Sequence, residues 1–269
     1  MLHSHIRCAC LVIAIAFVSS SAHAQLPFYT DDADTTPKGK FHIELSNETD
    51  WLQKTSLPGL RQNTTVFTFN YGVTDRLELD VNAPYIAISN DRASGLGTPS
   101  GIGDTQFGVK IRVLNERESS KMPAASVVFY VEAPTGNTRR QIGSGVTDYW
   151  LYGVLQKSFT KRTTGHLNGG VLFSGNDSTG LVGIETTRGQ VFTGNGSLVR
   201  QFTPRLSLGA ELFGAVTNNF KLSRGQLSGQ VGGGYNLTQN FQLTFGVITG
   251  RFAASPRLGV QVGMAYDFK

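Results

Sequence analysis

From Pro256 to Phe268 the chain alternates without a break. Leu258, Val260, Val262, Met264, Tyr266 and Phe268 fall on one side of an extended strand, and Gly259, Gln261, Gly263, Ala265 and Asp267 on the other. One side is apolar and ends in two aromatics; the other is small or polar. A strand of this kind fits a boundary between an oily and a wet phase, because successive side chains point to opposite faces.

The opposite end of the sequence restricts where such a strand can work. Met1 to Arg7 is short and basic, Cys8 to Val18 is apolar, and Ala22-His23-Ala24 closes a small-residue stretch. This order predicts a secretory signal peptide over 1–24, cut before Gln25. The apolar run is too short for a spanning helix, which takes roughly 20 residues. Neither Cys8 nor Cys10 follows an apolar run, so neither reads as an acylation site. These are the two cysteines of the sequence, so the expected mature chain has no disulfide framework and no thiol chemistry.

The rest of the sequence contains no long apolar helix. Apolar stretches are broken every second residue by Gly, Asn, Gln, Ser, Thr or a charge. Glycine, 32 of 269 residues, exceeds the roughly 7% average and suits β-structure with many turns. The formal charge is +5, spread along the chain without a basic cluster, so no nucleic-acid footprint is expected.

After an aperiodic segment over 25–37, twelve strands are predicted near 39–51, 60–72, 76–88, 103–115, 124–134, 146–159, 165–174, 189–202, 205–217, 226–237, 241–250 and 257–268. Each suffices to cross a bilayer when tilted. Short connections such as Gly72 to Asp75 and Phe202 to Arg205 alternate with longer Gly/Ser/Asn-rich ones. Short turns at one end and long loops at the other, with an even strand number, predict an all-β antiparallel transmembrane barrel over 38–269 in a bacterial outer membrane. A soluble β-sandwich is the competing fold, but its strands usually run about five or six residues. Aromatics expected to girdle the barrel include Trp51, Tyr71, Tyr85, Trp150, Phe202, Tyr266 and Phe268.

Several segments carry a family resemblance. Thr30-Asp31-Asp32-Ala33-Asp34-Thr35 with Gly39-Lys-Phe-His-Ile-Glu44, Gly101-Ile-Gly103-Asp104-Thr-Gln-Phe-Gly108-Val-Lys110, and Glu132-Ala-Pro134-Thr-Gly136 follow one another in this order. The combination resembles the bacterial outer-membrane family labelled "putative meta-pathway of phenol degradation". The resemblance implies an outer-membrane barrel and a role in uptake of aromatic or other small organic compounds, with no catalytic residues to carry over. Such barrels commonly end on an aromatic read by the insertion machinery; here Phe268 is followed by Lys269.

Chemistry is expected in the lumen. Lys or Arg at mid-bilayer on the lipid face costs roughly 2–4 kcal/mol, so charged positions are expected to face inward. The lumen-lining candidates are Asp104, Lys110, Arg112, Glu132, Asp148, Lys157, Arg200 and Glu211. Lys110 and Arg112 are expected to bias the lumen toward anionic or polarisable solutes. Asp31, Asp32 and Asp34 hold only fragments of a calcium loop; they read as part of a polar periplasmic extension or of a plug in the barrel mouth. Gly101-Ile-Gly103 precedes no helix and is no phosphate cradle. His42 and His166 form no His-x-Ser pair within a strand, so no catalytic, cofactor or metal residues are expected, although a cross-strand pair in a membrane-embedded hydrolase stays open. The expected partners are outer-membrane lipid, a small-molecule solute and the insertion machinery. A passive channel for small molecules is the first reading, and a structural or surface-interaction barrel with a blocked lumen the second. Twelve strands about 4.8 Å apart, tilted by about 40°, enclose a backbone diameter near ~24 Å.

Overall fold

The computed structural model describes residues 27–268 except 58, 96, 118–120, 141, 175–188 and 218–224. The expected signal peptide and Lys269 lie outside the described residues. Among the described residues thirteen strands form: β1 (Phe41–Trp51), β2 (Gly59–Thr74), β3 (Leu77–Asn90), β4 (Ser100–Ile102), β5 (Thr105–Leu114), β6 (Ala124–Ala133), β7 (Asp148–Thr160), β8 (Thr163–Ser174), β9 (Gly189–Gln201), β10 (Leu206–Thr217), β11 (Gln226–Asn236), β12 (Phe241–Gly250) and β13 (Leu258–Asp267). Apart from β4, consecutive strands pair antiparallel, and β1 pairs with β13. The sheet thus closes into a twelve-stranded ring, with β4 laid against β3 beyond it. Closure leaves no strand edge unpaired in the ring, which a lipid environment demands of backbone polar groups.

The outer face is the predicted apolar one. Leu258, Val260, Val262, Met264, Tyr266 and Phe268 are all exposed, as are Phe107 and Ile111 of β5 and Leu212 of β10. Buried polar groups sit on the opposite face, among them Glu78, Asp80, Gln230 and Gln261.

Four short turns share one device. The hydroxyls of Thr74, Thr160, Thr203 and Thr238 each accept from a backbone N–H two residues on, at 3.1–3.2 Å. Thr203 and Thr238 accept a second amide one residue further. Such local side-chain bonds fix a tight reversal where no ladder bond is available.

The ring closes at a seam of ten residue pairs between β1 and β13. His42 of β1 bridges it: Nδ1 lies 2.6 Å from Asp267 Oδ1 of β13, and Nε2 lies 2.9 Å from Glu44 Oε1. At the long-loop end, Ile142 is buried against Ile86 and Ile88 of the inner face, so the β6–β7 connection folds in over that mouth.

Candidate functional site: a filled, acidic lumen

The aperiodic segment before β1 occupies the inside of the ring. Side chains from eight strands hold residues 27–36. Gln230 of β11 donates to Pro27 O at 2.7 Å. Glu211 of β10 accepts from the amides of Tyr29 and Thr30 and from the Thr30 hydroxyl, at 2.9, 2.9 and 2.7 Å. The Tyr29 hydroxyl donates to Glu48 of β1 at 2.6 Å, and Asn195 of β9 donates to Tyr29 O. Gln156 of β7 accepts from the Ala33 amide, and Ser126 of β6 donates to Ala33 O at 2.7 Å. The Thr36 amide donates to Glu78 of β3. Only the interior of a ring puts such widely separated strands within reach of ten residues, which also identifies the polar face as the inner one.

The strongest contacts come from β5. Lys110 Nζ lies 2.8 Å from Asp31 Oδ1 and 3.3 Å from Asp32 Oδ1. Arg112 donates to Ala33 O and lies 2.8 Å from Asp34 Oδ1. The three aspartates therefore meet cationic side chains. Burial pushes the Asp31 carboxyl up to about 6; Lys110 pulls it down, and Asp32 and Glu78 push it up. Apolar packing supports the polar contacts. Ala33 is fully buried with Ala124, Val128 and Val154, and the rings of Tyr29 and Phe213 lie 4.6 Å apart.

Glycine makes room where the segment enters. A Cβ on Gly72 of β2 would stand 2.2 Å from Thr36 O and 2.3 Å from Pro37 O.

The sequence-predicted lining residues divide. Lys110, Arg112, Glu132, Asp148 and Glu211 stand on the inner face, and all except Arg112 and Glu132 are buried. Glu132 accepts from Gln106 at 2.7 Å and faces Asp148 across the β6–β7 ladder. Asp104 turns to the β6–β7 connection, accepting from the amides of Gly136 and Ser144 at 2.8 and 2.5 Å. Two candidates are corrected. Arg200 shares its face with the exposed Phe192 and Leu198, its guanidinium 5.8 Å from the Phe202 ring centroid. Lys157 shares its face with the exposed Leu155 and Phe159 and reaches Glu116 of the β5–β6 turn at 2.5 Å. Both lie at the short-turn end of their strands, where a long cationic side chain reaches past the apolar band. Trp150, expected in the girdle, instead points inward onto Leu172, Val191 and Ala215.

Other inner-face acids stand outside the expected lining set: Glu44, Glu48 and Asp50 on β1, and Glu78 and Asp80 on β3 and Asp267 on β13, which fall on the polar side of their alternating strands. With Glu132, Asp148 and Glu211 they are all the acidic residues of the strands. Period-two counting on β1 would have found its three.

A cross-strand pair also forms inside: His166 Nδ1 lies 3.1 Å from Ser197 Oγ. It faces the lumen, not the lipid side where a membrane hydrolase would meet its substrate.

A model described as "Putative MetA-pathway of phenol degradation" matches residues 21–268. The chain belongs to that family. Family membership covers the barrel and the segment inside it together. Among solved structures, an outer membrane channel from Pseudomonas putida F1 is 18% identical, with a TM-score of 0.68 over 88% of this chain and 98% of that one. The NanC porin is 9% identical, with a TM-score of 0.56 over 85% of this chain and 100% of that one. The KdgM porin is 14% identical, with a TM-score of 0.53 over 85% and 99%. At these identities the likeness is one of fold. No curated protein matches.

Proposed function

We propose that this family member is an outer-membrane channel for small molecules, aromatic compounds among them, whose lumen is closed by residues 27–36 and conducts when that segment withdraws. The observation that carries the reading is the seat of the segment. It is held by hydrogen bonds and ion pairs from eight strands yet carries no strand of its own. A polar seat of this kind is re-solvated on release, whereas a strand inserted into the sheet would break the barrel. Diffusion through the vacated lumen needs no catalytic group, and we assign none; His166 and Ser197 are read as lining.

The same packing favours a second reading, a permanently closed barrel with a structural role. A reversible lock separates the two. Ala33→Cys/Val128→Cys joins the segment to β6 across a packed contact. Single-channel recording is expected to show openings in the reduced variant and none in the oxidised one. Silence in both, with parent protein also silent, supports the closed structural barrel.

A further inference from the structure

The charges of this chain are segregated by face. All nine acidic residues carried by the strands stand on the inner face, whereas of the five basic strand residues, Arg61, Lys110, Arg112, Lys157 and Arg200, only Lys110 and Arg112 do. The whole chain has the opposite sign, +5, so the acidity of the lumen comes from position and not from composition.

This sign does not depend on the segment inside. With residues 27–36 seated, Asp31, Asp32 and Asp34 occupy both inner cations. With them withdrawn, nine acidic residues face Lys110, Arg112 and the His42 ring, which lies between Glu44 and Asp267. A second observation lies on β1. Glu48 and Asp50 are neighbours on the inner face of β1, and among the described residues no ion pair is formed by either. Asp50 is only 2% exposed, and its Oδ1 has no hydrogen-bond partner. An oxygen left in that condition is under-solvated and attracts a cation or a donor.

Resting on the channel reading above, we propose that the open lumen is cation-selective and that the solutes it admits are uncharged or cationic, not carboxylates. Carboxylates along a narrow conduit with low-dielectric walls focus a negative potential, concentrate cations and repel anions. This reverses the anionic bias expected from Lys110 and Arg112 alone.

The test is the reversal potential of the protein in a planar bilayer under a KCl gradient. It is recorded for the parent and for Asp34→Asn, which removes the Arg112–Asp34 ion pair that helps hold the segment. Several-fold preference for K⁺ over Cl⁻ is expected in both, with a smaller preference in Glu48→Gln/Asp50→Asn. Conducting channels that prefer Cl⁻, or show no preference, overturn the selectivity and leave the channel reading standing. If neither parent nor Asp34→Asn conducts, the channel reading falls and the selectivity with it. The sign in the parent decides, so a Glu48/Asp50 variant that fails to fold does not obscure the result. A folded one with unchanged preference overturns the wall charge as its origin.

Discussion

Lys110 Nζ lies 2.8 Å from Asp31 Oδ1, joining the middle of β5 to a segment that precedes the first strand. Lys110 is 1% exposed, so the pair is shielded from water and salt. Removing one partner of a buried pair typically costs about 3–5 kcal/mol, because the other charge is left unpaired. Lys110→Met is therefore expected to release residues 27–36. Protease cleavage within that segment should rise in the variant while heat-modifiable mobility shows the barrel intact. Arg112→Gln should have a smaller effect, since Arg112 is partly exposed.

Docking of the segment should depend on pH through Asp31. Its carboxyl titrates at about 6 when seated, against 3.8 when free. The seated state binds the proton more tightly, so acid favours seating and the preference is lost as pH rises from about 4 through 6. The groups facing Asp31 are Lys110, Asp32, Glu78, Asp80 and the hydroxyls of Tyr130 and Tyr152. Single-channel openings should be more frequent at pH 7.5 than at pH 5, and Asp31→Asn should flatten that step. An unchanged step in Asp31→Asn would assign it to other groups.

Gly72→Ala places a methyl group against the Thr36 and Pro37 carbonyls. Backbone on both sides cannot yield as a flexible side chain would, and overpacking of this kind costs about 1–3 kcal/mol. The expected result is a displaced segment entry. Hydrogen exchange at Gly39, whose amide donates to Gly72 O at 2.7 Å, should accelerate while the β5–β6 ladder stays protected.

Phe268 is exposed on the outer face and meets Tyr266 edge-on at 4.7 Å. Its amide donates to Phe41 O, extending the seam. Phe268→Ala is expected to lower the yield of heat-modifiable barrel assembled in cells, whereas deletion of Lys269 is not. Equal yields from parent and Phe268→Ala would remove the aromatic from the insertion signal.

The ring was legible because lipid on one side and water on the other impose a period of two. β10 to β13 follow the predicted strands to within about two residues, and the faces of β3 and β5 follow the alternation. The pattern lost force where that constraint relaxes. At strand ends, Lys157 and Arg200 escape the apolar band by their length. In β7, aromatics on both faces hid that Trp150 turns inward. β4 is three residues long, too short for a period. The filled lumen was least legible, because the match of Asp31, Asp32 and Asp34 to Lys110 and Arg112 exists only in three dimensions. The two sets lie 78 or 79 positions apart.

The seat of the segment also fixes an order of events during assembly. Its first residues are synthesised before any strand, yet Glu211 and Gln230 follow them by 181 and 203 positions. Contacts of such separation carry a high loop-closure entropy and cannot form early. Contacts to Glu48, Glu78 and Lys110 span only 19, 42 and 79 positions, so the bonds to β10 and β11 are the last of the seat to form. Protection of the Thr30 amide, which donates to Glu211, would therefore time the end of folding in a pulse-labelling experiment.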